Sequence, residues 1–164
     1  MSKPVTTTRA TSEKAPVENL FNNKLGVKLL SESAKLPTYG TDGAACFDLY
    51  ASDSVSVAAC RSKVVPLGVA FDIPNDHVML VFSRSGHAYK NGIRLANCVG
   101  VIDSDYRGEV SAKLHNDSAE AFSVCVGDRV AQAMLLPVSR FDLVQVDEIS
   151  ETSRGAGGFG STGA

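Results

Sequence analysis

The sequence predicts an all-β domain of the sandwich, jelly-roll or barrel kind. Three observations carry this: short runs in which apolar and polar residues alternate, turn punctuation between those runs, and no long stretch of helical period. In chain order, residues 1–24 come first. They are rich in Thr, Ser, Lys, Glu and Pro without either period and predict a disordered N-terminal extension. From Val27 the pattern changes. Ser54-Val55-Ser56-Val57, Val110 to His115, Phe122 to Val126 and Val144 to Asp147 each alternate, as half-buried strands do. Thr41-Asp42-Gly43, Pro74-Asn75-Asp76, His115-Asn116-Asp117 and Gly127-Asp128 supply the turns. The one helical candidate is short, Ser83 to Asn91. Ser83 or Ser85 is placed to cap its start, and Gly92 to end it in a left-handed conformation. After about Ile149 the alternation stops, so the division is 1–24 extension, 25–150 β domain and 151–164 flexible Gly-rich arm.

With 164 residues, 44% hydrophobic and 21% charged, the chain has room for one core that needs no metal or disulfide staple. A formal charge of −2 lacks the basic footprint of a non-specific nucleic-acid binder, so an anionic ligand must be met by a few placed arginines. Cys46, Cys60, Cys98 and Cys125 form no C-x-x-C pair and predict reduced core thiols. His77, His87 and His115 show no ligand spacing, which argues against a transition-metal site, and no nucleophile elbow supports a Ser-His-Asp triad. The N-terminus lacks an apolar signal region, and no run approaches the roughly 18 apolar residues of a membrane span. The expectation is a cytoplasmic protein, or a nuclear one in a eukaryotic or viral setting, bound to neither membrane nor nucleic acid.

Four segments have the composition of chemical sites. Gly155, Gly157 and Gly160 satisfy G-x-G-x-x-G, and Gly155 to Thr162 reads as a P-loop with Ser161 in place of lysine, but neither has the helix that such motifs require. Glycine amides that wrap an anion, the Arg154 donor fork and the flat face of Phe159 remain, against the plain alternative of a tail without a role. Ser83-Arg84-Ser85-Gly86 opens the short helix, where unpaired N–H groups favour a phosphate; a capping turn with a surface arginine is the alternative. Gly100 to Gly108 reads as a hairpin whose turn holds Asp103, Asp105 and Tyr106, either solvated turn acids or a carboxylate held to activate water. Asp48, inside the apolar run Cys46 to Tyr50, calls for a partner. It is either a turn cap or a carboxylate that reaches, through water, a Mg²⁺ carried by substrate phosphates.

Taken in order, these segments resemble the homotrimeric all-β dUTPase family, deoxyuridine 5′-triphosphate nucleotidohydrolases. TYGTDGAACFDLY (Thr38 to Tyr50) resembles the first of its five motifs, Arg84-Ser85-Gly86 the second and NCVGVIDSDYRGE (Asn97 to Glu109) the third. GDRVAQ (Gly127 to Gln132) and RGAGGFGSTG (Arg154 to Gly163) resemble the fourth and fifth. The resemblance implies a distorted jelly-roll barrel that assembles as a homotrimer, each active site built from three chains, with the C-terminal arm exchanged over a neighbouring site. It implies hydrolysis of dUTP to dUMP and pyrophosphate with Mg²⁺, a dUTP diphosphatase activity that limits uracil incorporation into DNA and supplies dUMP for dTMP synthesis. Carried over by residue, Asp103 activates the water that attacks the α-phosphorus in line, and Asp48 reaches the metal through water. Arg84, Ser85, Gly86 and Gln132 hold the triphosphate. Asn97 and the backbone of Gly100, Val101 and Ile102 read the uracil edge, Tyr106 packs under the deoxyribose, and Ser111 lines that pocket. Arg154 contacts the γ-phosphate, Phe159 stacks on uracil, and Gly160 with Ser161 closes over the phosphates.

Where the family usually has Pro before Arg84 and Leu after Gly86, this chain has Ser83 and His87. His87 is expected to be an exposed helix residue, with a weak phosphate neighbour as the alternative. No further domain is expected after the fifth motif. A dCTP deaminase of the same superfamily should lack the Asp103 to Gly108 segment and the Phe159 arm, both present here. A regulatory protein on this fold should have lost Asp103, Arg84, Tyr106 or Arg154, and all four stand. A protein partner for residues 1–24 has no support in the sequence.

Overall fold

A computed structural model describes residues 24–161 and residue 163. Eleven strands and one short helix follow in order: β1 (Gly26–Leu29), β2 (Thr38–Tyr39), β3 (Phe47–Tyr50), β4 (Val55–Val57), β5 (Ser62–Asp72), β6 (His77–Ser83), α1 (Ser85–Asn91), β7 (Ile93–Leu95), β8 (Val99–Ile102), β9 (Val110–Asn116), β10 (Phe122–Val124) and β11 (Arg129–Pro137). They form a four-stranded sheet β1-β5-β9-β7, a five-stranded sheet β2-β3-β11-β6-β8 and a small pair β10-β4. All the ladders are antiparallel. The result is the expected all-β jelly roll.

Leu49, Leu67, Met79, Ile93, Leu95 and Leu114 fill a core to which both large sheets contribute. β9 shows how the alternation becomes burial: Val110, Ala112, Leu114 and Asn116 are buried, and Ser111 and Lys113 between them are exposed. β5 instead reads as a nearly continuous apolar run and is buried at almost every position from Val65 to Phe71, with β1 and β9 as its sheet neighbours. Its Pro66 sits at a bulge, where a missing ladder donor is tolerated. Gly68, two residues on, has φ +64°, and a Cβ there would meet Ala34 Cβ at 2.7 Å and Ser52 Cβ at 2.9 Å, so only glycine serves.

Several expectations change. The helix starts at Ser85 with Arg84 at its N-cap and no side-chain cap, because Ser83 belongs to β6 and its Oγ accepts the Leu95 N–H at 2.8 Å. Gly92 ends the helix in the left-handed conformation as expected. The Gly100 to Gly108 segment is not a two-strand hairpin: β8 pairs with β6 and β9 with β5 and β7, so the segment crosses from one large sheet to the other. Val144 to Asp147 forms no ladder among the described residues and is exposed, since alternation without a neighbouring strand does not make a sheet. The four cysteines are free, but Cys60, Cys98 and Cys125 are exposed and only Cys46 is half-buried. Cys60 and Cys98 sit at positive φ in turns, outside the core strands. Expectations for residues 1–23 lie outside the described residues.

Candidate active site

Asp48 has found its partner twice over. Ladder register puts Asp48 of β3 opposite Gln132 of β11 and Gln132 opposite Phe82 of β6, which brings the ends of three strands together. Arg84, just past β6, donates Nε–H to Asp48 Oδ1 at 3.1 Å, and Arg129, at the start of β11, donates Nη1–H to Oδ2 at 3.1 Å. The carboxylate is only 9% exposed, so two guanidinium groups offset the cost of burying its charge. Gln132 donates from Nε2 to the Ser83 carbonyl at 3.1 Å. Ser85 and Gly86 follow in the first turn of α1, both exposed. The cluster thus presents two arginines, an amide and a hydroxyl at one end of the sheet, the donor set an oligophosphate requires. Neighbouring Cys46 has its thiol pKa pushed up, first by burial and then by the Asp48 charge.

A second constellation lies on β8. This strand is an edge, paired only with β6, so its outer backbone N–H and C=O groups are open to a ligand. Gly100 is half-buried opposite Val81, whose Cβ would lie 3.2 Å from any Cβ at that glycine. The Asn97 amide nitrogen lies 3.8 Å from the same point. A cleft of about 410 Å³ opens beside the strand, lined by Val101, Ile102, Asp103, Tyr106 and Ser111 together with Glu109 and Val110. The Tyr106 hydroxyl donates to the Glu109 carbonyl at 2.9 Å, and a Cβ at Gly108 would lie 2.7 Å from the Tyr106 ring carbon Cζ. The missing side chain at Gly108 therefore gives the tyrosine its seat. Arg107 braces the loop, donating to the Ser104 carbonyl at 2.6 Å and pairing with Asp72 at 2.9 Å. Asp103 itself is exposed, at the mouth of a rigidly held cleft.

The structure unites Asp48, Arg84, Ser85, Gly86 and Gln132 in one group, and Asn97, Gly100, Val101, Ile102, Asp103, Tyr106 and Ser111 in another. One chain does not bring the two groups together. Phe82 pairs with Val99 and Met79 with Ile102, so Arg84 lies past one end of β6 and Asp103 past the other end of its partner β8. Ser83 and Val78 are separated by five residues, roughly 17 Å of strand. The third group, Arg154, Phe159, Gly160 and Ser161, lies on a segment whose hydrogen bonds, among the described residues, are internal: Arg154 Nε–H to the Gly157 carbonyl at 2.9 Å, and turns at Thr152, Gly158 and Gly160. Phe159 is fully exposed. Phe141, Leu143, Val144 and Ile149 on the approach to this arm are exposed as well.

Sequence reasoning passed over Arg129 and Glu109. Arg129 stands inside GDRVAQ, and its pairing with a buried Asp48 follows from the register that sets it opposite Tyr50, two residues along β3, so the available signal is legible only once that register is known. Glu109 Oε1 accepts the Gly68 N–H at 2.9 Å and ties the cleft loop to β5. His87 is half-buried rather than exposed, because its imidazole Nε2 lies 2.8 Å from the Arg129 carbonyl and its ring meets Phe122 edge-on at 5.4 Å. No group of three or more His, Cys, Asp and Glu gathers among the described residues. A lone carboxylate beside a cluster of arginine, amide and hydroxyl donors suits a hard cation that arrives on an anionic ligand's oxygens. Each Asp48 oxygen keeps a lone pair beyond its arginine bond to accept a metal-bound water.

The dUTPase family profile matches residues 32–163. The chain is 44% identical over 140 residues to the deoxyuridine 5′-triphosphate nucleotidohydrolase of Nautilia profundicola, covering 85% of this chain and 99% of that protein. It is 45% identical over 141 residues to the enzyme of the same name from Yarrowia lipolytica, covering 85% and 88%. Among solved structures, a variant dUTPase of Staphylococcus bacteriophage 80alpha bound to dUpNHpp superimposes with a TM-score of 0.82 at 28% identity, covering 87% of this chain and 99% of that one.

Proposed function

This chain belongs to the dUTPase family, and from that premise we propose that it is a dUTP diphosphatase that cleaves dUTP to dUMP and pyrophosphate. The observation that carries the reading is the pair of half-sites: a phosphate-binding cluster around Asp48, Arg84 and Arg129, and a cleft on edge strand β8 with Asp103 at its mouth. Asn97 and the free backbone groups of Gly100 to Ile102 match the donor and acceptor edge of uracil, and a close fit against that edge would leave little space for a thymine methyl. Tyr106, fixed by its bond to Glu109, packs against the deoxyribose where a 2′-hydroxyl would clash. Asp103 orients a water and takes its proton as the water attacks the α-phosphorus in line, with pyrophosphate leaving. Arg84, Ser85, Gly86 and Gln132 hold the phosphates, and Arg154 adds a donor fork at the γ end. Asp48 would help hold Mg²⁺ through water, and the ion would supply charge neutralisation for the leaving pyrophosphate.

The two half-sites lie about a strand's length apart in one chain, which supports a homotrimer in which different copies contribute them to one site. The exposed apolar residues from Phe141 to Ile149 support an approach segment that packs on a neighbouring copy and carries the arm to that copy's site. There Phe159 stacks on the base, worth roughly 1–3 kcal/mol by analogy with base stacking on aromatic side chains, while Gly160 and Ser161 close over the phosphates and exclude water. The test is pyrophosphate release with Mg²⁺ from dUTP, dTTP, dCTP and UTP at equal concentration. Release confined to dUTP is expected. A folded protein that releases none from any of the four overturns the reading.

A further inference from the structure

The geometry points to His87 as a positioning residue for the triphosphate, a role that rests on the dUTPase reading and that leucine, usual at this position in the family, cannot fill. His87 stands one helical turn after Arg84. Its Nε2–H donates to the Arg129 carbonyl at 2.8 Å, and Arg84 donates Nη1–H to the same oxygen at 3.1 Å. The two donors lie 3.4 Å apart, so the imidazole stands beside Nη1 of the guanidinium, whose Nε–H is given to Asp48. The carbonyl is available because β11 slips register between Arg129 and Ala131, a bulge at the site's edge. The ring is itself held, edge-on to Phe122 at 5.4 Å and with Nδ1 3.5 Å from the Asn91 amide nitrogen. A neutral imidazole with its proton on Nε2 satisfies these contacts, with Nδ1 as acceptor.

The consequence reaches further than Arg84. Helix α1 has seven residues, no buried side chain and no side-chain cap, so little of its own holds its first turn in place. Among the described residues, His87 makes the one side-chain hydrogen bond from α1 to another element. That bond fastens Ser85 and Gly86 to β11, the strand that carries Gln132. His87 therefore adds to the bonds of Arg84 a second tie between the first turn of α1, with Ser85 and Gly86, and the strand that carries Gln132, and it touches neither base nor sugar side of the site. Its removal should weaken ligands in proportion to their phosphate contacts and leave a ligand held mainly through its nucleoside unaffected.

The full-length protein carrying His87→Leu, His87→Gln or neither is titrated with dUpNHpp and, separately, with dUMP. His87→Leu is expected to weaken dUpNHpp about three- to tenfold, the scale of one lost hydrogen bond, with dUMP binding within about twofold of the parent. His87→Gln, whose amide can donate to the Arg129 carbonyl, should restore most of the dUpNHpp affinity. Equal losses for both ligands, no loss for either, or failure of glutamine to restore binding where leucine lost it would each overturn the assignment. If the parent itself binds neither ligand, the dUTPase reading fails instead, and the parent titration separates the two.

Discussion

Asp48 on β3 and Arg84 at the junction of β6 and α1 reach each other across the sheet end: Nε stands 3.1 Å from Oδ1, and the remaining carboxylate oxygen takes Arg129 at the same 3.1 Å. One buried acid thereby organises two cations that would otherwise repel. Asp48→Ala leaves them uncompensated and should destabilise the protein by about 1–3 kcal/mol, below the ~3–5 kcal/mol of a fully buried pair because Arg129 is half exposed. Urea unfolding of variant and parent measures this. An unchanged midpoint would show that the arginines do not depend on the acid.

How much of this was legible beforehand depends on what each residue needs. β9 and β10 need only a local alternation, and Val110 to His115 and Phe122 to Val126 declare it, although β10 itself ends at Val124. Val144 to Asp147 shows the same alternation with no strand beside it, because pairing is a property of two segments and the sequence displays one at a time. The motif residues were found by their types. Arg129 was missed because its meaning depends on the register that sets β11 against β3. His87 was misread because the carbonyl that holds it appears only where the β11 ladder slips.

Asp103→Asn should keep the cleft beside Tyr106 intact and retain dUpNHpp binding while lowering turnover at least about 10²-fold, the scale of a lost general base. Steady-state pyrophosphate release, paired with a binding titration, checks it. Near-parental turnover would remove Asp103 from the chemistry.

Deletion of residues 154–164 should leave the melting temperature within experimental scatter of the parent and abolish most activity. Among the described residues the hydrogen bonds of that segment reach no further back than Thr152, and Phe159 contributes nothing to the core. An unfolded product would show that the arm is structural.

Asn116 is fully buried, and every polar atom of its side chain is used. It donates to the Val57 carbonyl at 3.0 Å and the Glu120 carbonyl at 2.7 Å, and accepts from the Ser118 N–H at 2.9 Å. Asn116→Leu strands those groups without partners and should cost about 2–5 kcal/mol, read by chemical denaturation. A loss under about 1 kcal/mol would show that the loop rearranges to satisfy them.

The Arg94 guanidinium, first through its hydrogen bonds and then through its charge, holds the Asp117 carboxyl below the ordinary range, with His115 adding to the effect. A carboxyl depressed in the folded state contributes stability above its unfolded pKa and loses it as pH falls through the folded one. Arg94→Gln should therefore lower the melting temperature at neutral pH, and the difference should close as the solution is acidified. A difference that stays constant into acid would assign the effect to packing.

The uncovered stripe from Phe141 to Ile149 also bears on how the protein is made. A folded single chain carries five exposed apolar side chains, Phe141, Leu143, Val144, Val146 and Ile149, on a segment that pairs with no strand among the described residues. Those are the features that holdase chaperones and quality-control proteases recognise. In the proposed trimer, the interval between synthesis and encounter with sister chains would be the vulnerable stage of this protein's life, and expression level would set the yield by shortening or lengthening it.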